Sequence, residues 1–193
     1  YSTLNDGKYG TMSGTSMAPL LVSGGAALVI QKVQELFPQL QGADKVKRVK
    51  TLLMNTAKPV QDPDNNNNYY SPRRQGAGIM QLHEAVNTPV YVVRKGTNDA
   101  KVELKEINTD KIEMTLTATN FSDKDVSYKV DTSVLTDSIS GGRNDLKSKV
   151  ISKAVVTTDS PTLTLFPGQS KDFTVRIDLT NAKAELEALM KNG

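Results

Sequence analysis

The hydrophobic period of this chain changes from about 3.6 to 2 near residue 90, and no single regular element accommodates both. Upstream, Ala26, Val29, Ile30, Val33, Leu36 and Phe37 recur at three- and four-residue steps, and Val46, Val49, Leu52 and Leu53 do the same after "QGAD". This spacing predicts two helices with buried stripes, the first running from about Ser16 to Phe37 and roughly 30 Å long. A third, short helix is expected at "IMQLHEAV", where Leu82, Ala85 and Val86 share a face. After Pro89, Ile112, Met114, Leu116 and Ala118 alternate with Glu113, Thr115 and Thr117, and Phe173, Val175 and Ile177 alternate with Thr174 and Arg176. That is strand patterning with one face in a core. The turn signals "NFSDKD", "SGGRND" and "FPGQSKD" fall at intervals that suit a β-sandwich. The switch places a boundary at about residue 90 and divides the chain into 1–90, 91–180 and 181–193. The last stretch, "NAKAELEALMKNG", returns to helix formers and reads as a linker, a frayed helix or a cut end.

The 193 residues suffice for one large domain or two small ones. No cysteine is present, which removes disulfides, thiolate metal sites and cysteine nucleophiles together. Neither a run of 18 apolar residues nor a basic segment followed by an apolar one occurs, so no membrane span and no signal peptide is expected in these residues. The formal charge of +3 is spread over mixed-sign stretches such as "ADKVKRVK" and "KVELKEINTDKIE", and tryptophan is absent. Nucleic acid is therefore not an expected partner.

The helical half has too little sheet to stand alone. Its "AALVI" run is apolar nearly all the way round, which predicts a helix enclosed on several sides, and nothing downstream supplies an α/β sheet. The missing partner is expected upstream. At the mouth of that helix stands "YGTMSGTSMAP". Small residues there let another backbone or a substrate approach, and the free amides of a first helical turn face whatever negative charge develops nearby. A serine hydroxyl so placed attacks a carbonyl if a base removes its proton, and its own N–H then stabilises the oxyanion. Read alone, the same residues fit an ordinary N-cap better.

They do not stand alone. "SGTSMAPLLVSGGAALV" resembles the serine signature of the subtilisin-like proteases, in which a Gly-Thr-Ser-Met-Ala core opens a long buried helix. "MNTAKPV" is similar to the end of the family's next helix, and "RRQGAGIMQLHEAV" to the glycine turn and short helix that close the catalytic domain. The lead-in "YSTLNDGKYGTMSGTSMA" and the "SPRRQGAG" turn most resemble the cell-envelope subtilases, the lactocepin and C5a peptidase group. The likeness is strong to about residue 88 and architectural afterwards. It implies an α/β subtilisin-like fold, present here only as the C-terminal helical part of the catalytic domain, followed by an all-β fibronectin type III-like sandwich.

What the resemblance implies about mechanism is a triad with one member in this chain. Ser16 would be the nucleophile, with Gly14, Thr15 and Ser16 lining the site as backbone. The Asp, the His and an oxyanion-hole Asn would all precede Tyr1, so the fragment by itself should hydrolyse nothing. The implied partners are a protein or peptide substrate and the upstream part of the same protease, with no cofactor and no metal. The implied location is the cell surface. The family usually reads Ser-Pro after Met-Ala, whereas here Pro19 comes one place early. A first-turn proline removes an amide with no intrahelical acceptor, so the helix is expected to continue, while Ala18 feels the proline's bias on its dihedrals.

The same residues admit other readings. "GTSMA" is one residue from the nucleophile elbow of α/β-hydrolases, with Asp62 or Asp64 and His83 as further members, but "LNDGKYGTM" lacks the buried strand that an elbow requires. His83 is expected on the wet side of its short helix. In "DPDNNNNYY", Asp62, Asp64 and Asn66 copy three positions of an EF-hand loop, yet Asn67 replaces the glycine and Arg73 the bidentate glutamate. An exposed loop is the simpler expectation. Arg73 and Arg74 are expected as a solvated pair, with a substrate or the neighbouring domain as the alternative. A non-enzymatic reading makes the sandwich a spacer or docking module, supported by "LTLFPGQSKDFTVRIDL", where Pro167 and Gly168 turn the chain into an alternating strand.

Overall fold

The computed structural model describes residues 1–139 and 146–191; the turn expected at "SGGRND" lies outside the described residues. The chain opens with a small hairpin of β1 (Ser2–Thr3) and β2 (Tyr9–Gly10), over which Tyr1 and Tyr9 stack with ring centroids 5.9 Å apart. Helices α1 (Ala18–Leu36) and α2 (Gly42–Asn55) follow. Ala18 is the first helical residue and Pro19 sits in the first turn, where its missing N–H costs nothing. A second hairpin, β3 (Gln61–Asp62) with β4 (Asn68–Tyr69), leads to the short helices α3 (Pro72–Gln75) and α4 (Leu82–Asn87).

The helical core is formed by Val29 and Val33 of α1, Val49 and Leu52 of α2, and Ala85 of α4. Each of these side chains, fully withdrawn from water, contributes on the order of 1–3 kcal/mol. Not every periodic residue reaches this core. Val46 is 57% exposed, Leu28 55% and Ile30 38%, and Leu20 and Leu21 are more open still at 74% and 73%. The expected enclosure of "AALVI" is therefore not realised among the described residues: α1 covers its partners with one stripe and presents the rest of its apolar surface outward.

Downstream, β5 (Val90–Arg94), β6 (Lys111–Asn120), β10 (Val155–Thr158) and β12 (Ser170–Asp178) form an antiparallel four-stranded sheet in the order β10-β12-β6-β5. The pair β7 (Val126–Lys129) and β11 (Thr162–Leu165) faces it. Val90, Ala118, Phe173 and Val175 from the first sheet meet Leu163 and Leu165 from the second in a dry core. Fully buried Asn120 ends β6, its amide donating to the carbonyls of Lys124, Leu165 and Phe166. The chain turns at Pro167 and Gly168, closed by the Gln169 N–H on the Phe166 carbonyl at 3.0 Å, and enters β12 as the pattern predicts. A separate hairpin, β8 (Leu135–Ile139) with β9 (Leu146–Val150), projects from this half.

The final helix, α5 (Lys183–Lys191), is tied down by Glu185, whose carboxylate accepts from the N–H of Ser152, the N–H of Lys153 and the Ser152 hydroxyl, each at 3.1 Å. The Ser152 amide above all holds this carboxyl below its ordinary value of 4.5. Three aspartates lie below their ordinary 3.8 in the same way: Asp159 through the Thr174 amide, Asp172 through Lys95 and the Thr117 hydroxyl, and Asp178 through Thr180. A folded-state pKa below the unfolded one gives stability that is complete above the unfolded value and disappears as pH falls through the folded one. Urea midpoints should therefore hold from neutrality to about pH 5 and drop below about pH 4, with 152–153 and 183–191 gaining amide exchange among the first. An unchanged midpoint at pH 3 would show that these carboxylates contribute nothing.

Candidate active site

Gly14 adopts φ +146°, a conformation that side chains rarely tolerate, and this lets the chain turn sharply into α1. Its carbonyl accepts the N–H of Met17 at 3.1 Å and of Ala18 at 3.2 Å. Thr15 and Ser16 are carried at the outside of that turn, and both are exposed. The N-cap of α1 is Met17, and no side chain caps it. The capping reading of Ser16 thus has no bond to support it. Neither the hydroxyl nor the N–H of Ser16 has a hydrogen-bond partner among the described residues. A free hydroxyl beside a free amide at a helix mouth is the geometry in which one residue supplies both attacking oxygen and oxyanion donor.

No proton acceptor in the described residues bonds to Ser16. The His83 side chain is 85% exposed on α4 and lies 3.5 Å from the carboxylate of Glu84. Asp62 is buried in the β3–β4 hairpin, with its carboxylate accepting the Asp64 N–H at 3.1 Å. The hydrolase constellation of Ser16, Asp62 or Asp64, and His83 is therefore not joined by any hydrogen bond to the serine. The asparagine loop closes on itself, with the Asn65 and Asn67 amides donating to the Asp62 carbonyl and with Asn66 and Asn67 at φ +53° and +56°. Among the described residues no group of three or more His, Asp or Glu is placed to hold a metal ion.

The two halves meet at two places. Arg73 and Arg74 are exposed, as a solvated pair would be, and they also make the alternative contact with the neighbouring half: Arg73 Nη1 donates to Asp137 at 2.7 Å and Arg74 Nη1 to the Leu146 carbonyl at 2.8 Å, both on the β8–β9 hairpin. Asn65 adds a bond to the Ser148 carbonyl at 2.6 Å, and the Ser148 hydroxyl donates to the Tyr69 carbonyl. A second contact lies between α2 and β5, where the Val92 N–H donates to Asn55 at 2.6 Å. There Phe37, Tyr91 and Phe121 form an edge-and-stack cluster. The Arg48 guanidinium lies 3.3 Å from the Tyr91 ring centroid and 5.1 Å from that of Phe37. Its Nε and Nη1 are buried without a hydrogen-bond partner, so ring faces replace the lost water.

Removing the Arg73 and Arg74 bonds should free the hairpin locally. The double variant Arg73→Ala/Arg74→Ala should raise amide exchange in 135–139 and 146–150 by about 5- to 30-fold, equivalent to about 1–2 kcal/mol. The discount for an exposed arginine keeps the expectation at that level. Unchanged exchange would mean that the hairpin is held by its own strands.

Comparison with known proteins gives two separate family matches. Residues 1–78 match the subtilase family model and residues 102–192 the Fn3-like domain model. The C5a peptidase of Streptococcus pyogenes is 33% identical over 192 residues, which is 100% of this chain and 16% of that protein. The PI-type and PII-type proteinases of Lactococcus lactis subsp. cremoris are each 34% identical over 162 residues, 78% of this chain and 8% of theirs. The chain thus spans about a sixth of the C5a peptidases it matches. Among the described residues no helix is long and apolar enough to cross a membrane. This chain thus matches the subtilase family through its first 78 residues and an Fn3-like domain from residue 102 to 192.

Proposed function

We propose that these residues are part of a serine endopeptidase that cleaves protein substrates at the cell surface, with Ser16 as its nucleophile. The observation that carries the reading is the exposed, unpartnered Ser16 at the mouth of α1, inside a stretch that matches the subtilase model. In this mechanism the Ser16 oxygen attacks the scissile carbonyl while a histidine from upstream residues takes its proton and an upstream aspartate orients that histidine. The Ser16 N–H and an upstream asparagine hold the oxyanion, and Gly14 and Thr15 line the site as backbone. The open apolar surface of α1, from Leu20 and Leu21 to Leu28, supports a partner supplied by the same upstream residues. The names of the relatives, a C5a peptidase and two proteinases, support protein substrates, and the cell-surface location is what the family resemblance implies.

The boundary near residue 90 belongs to this reading, with 1–90 catalytic, 91–180 a fibronectin type III-like sandwich and 181–193 a terminal segment. The contacts of Arg73, Arg74 and Asn65 with the β8–β9 hairpin support a sandwich that is held in one orientation and presents long substrates to Ser16. The experiment is a peptide-cleavage assay on the full-length protein and on residues 1–193. The full-length protein should cleave in a Ser16-dependent manner, and the shorter chain should not cleave at all. Cleavage by the shorter chain that is lost in Ser16→Ala would refute the dependence on upstream groups.

A further inference from the structure

The two mixed-sign stretches of the sequence come together in space. Lys47 and Lys50 of α2 face Arg94 at the end of β5 and Lys101 and Lys105 of the segment between β5 and β6 across an open cleft of about 420 Å³. That volume is within the range of ligand sites. Five cationic side chains line it against two carboxylates, Asp99 and Glu103. The whole chain carries +3, so the rest of its surface is close to balanced. Lys101 pairs with Glu103 at 2.5 Å, and that contact, with a smaller contribution from Lys105, keeps the Glu103 carboxyl below its usual range. Lys47, Lys50 and Arg94 have no ion-pair partner among the described residues. The floor is rigid, because Thr51 is 2% exposed and its hydroxyl donates to the Asn98 carbonyl at 3.3 Å, joining α2 to the opposite wall.

From this cleft we infer a binding site for an acidic segment of a polypeptide, running extended between α2 and the 94–105 segment. The inference rests on the proteolytic reading only for its choice of a polypeptide as the anion. Four features favour that choice over a phosphate cluster. Lys47 and Lys50 are three positions apart on one helix face, about 5–6 Å between Cβ atoms. Alternate carboxylates of an extended chain repeat at about 6.6 Å, which these ammonium groups can follow. Asp99 and Glu103 oppose a compact, highly charged anion but tolerate carboxylates spaced along a chain. Met54 and Ala100 add apolar wall for side-chain and backbone carbon. Lysines on both sides supply mobile point charges, which suit a ligand of variable sequence better than a bidentate fork does.

The test uses the full-length protein carrying Ser16→Ala, so that a bound peptide is not consumed. A fluorescein-labelled peptide with glutamates at alternate positions is titrated by anisotropy, beside its glutamine counterpart. The glutamate peptide should bind at low salt, the glutamine peptide at least about tenfold more weakly, and salt should erode the difference. Combining Lys47→Gln, Lys50→Gln and Lys105→Gln should weaken binding by about tenfold. The same charge change at the exposed Lys8, Lys124 and Lys149 should change it by less than about twofold. Equal losses in the two triple variants would overturn the site, and displacement by inorganic pyrophosphate at lower concentration than by unlabelled peptide would overturn the choice of a polypeptide. With Ser16 restored, the cleft variants should cleave a short uncharged peptide like the parent. If the parent itself cleaves nothing, the proteolytic reading fails, while the binding arms still decide the cleft.

Discussion

Ser16→Ala in the full-length protein is expected to lower kcat on peptide substrates by on the order of 10⁶-fold while KM stays within about threefold. In the proposed mechanism the substitution removes the only atom that would form a covalent bond with the substrate, and with it the purpose of a histidine and an aspartate supplied from upstream. The oxyanion amide is backbone and survives, which leaves a residual rate above the uncatalysed one. Stability should not change. Met17, not Ser16, occupies the cap position of α1, and the serine hydroxyl satisfies no helix amide. An ordinary N-cap would behave in the opposite way, with about 1 kcal/mol of stability lost and activity kept. The pair of measurements separates the two roles completely.

Gly78→Ala is expected to be the most destabilising single substitution in the helical half, at about 3–5 kcal/mol. Gly78 has φ +122°, and an added Cβ would press on the Lys58 carbonyl and the Pro59 nitrogen, all backbone atoms with no freedom to turn aside. Immediately after it, Ile79 and Lys58 exchange two N–H···O bonds of 2.9 Å, which tie the end of α2 to the approach of α4. Relief of the clash would break that bridge. Gly76→Ala is the control: its φ of +61° and ψ of −128° are a glycine conformation, but nothing lies within 4 Å of the new carbon, so only the conformational cost of about 1–3 kcal/mol remains. Thermal unfolding of the two variants should therefore differ by several degrees. Equal midpoints would show that the Lys58 backbone yields.

Local pattern was enough for the elements whose partners lie in this chain. Val29, Val33, Val49, Leu52 and Ala85 are buried because their helical spacing matches a core built from α1, α2 and α4. Ile112 to Ala118 and Phe173 to Ile177 alternate because each strand has one dry face. The same reasoning overreached at Val46, Leu28 and Ile30, since periodicity reports an apolar face and not whether anything in these residues covers it. Ser16 was legible as a motif and not as chemistry, because isolated helix-starting residues fit a cap better. The contacts between the halves were legible only as an alternative for Arg73 and Arg74, with no partner named. Arg73 meets Asp137 and Arg74 meets Leu146 across 64 and 72 residues, a distance at which no local period carries information. Arg48 was hidden in a run of lysines, and only the placement of Tyr91 and Phe37 distinguishes it from them. The cationic cleft is illegible for a related reason: "ADKVKRVK" sets four cations against one carboxylate and "KVELKEINTDKIE" three against four, and nothing read in line shows that the two meet.

The central claim is that one hydroxyl of this chain is made nucleophilic by groups outside it. A fluorophosphonate probe reads this directly, because it phosphonylates a serine only where a base and an oxyanion site activate it. In the full-length protein, mass spectrometry of the labelled digest should place a single adduct on Ser16, and residues 1–193 alone should remain unlabelled under the same conditions. An adduct on another serine of the full-length protein, or equal labelling of Ser16 in the isolated chain, would contradict the claim.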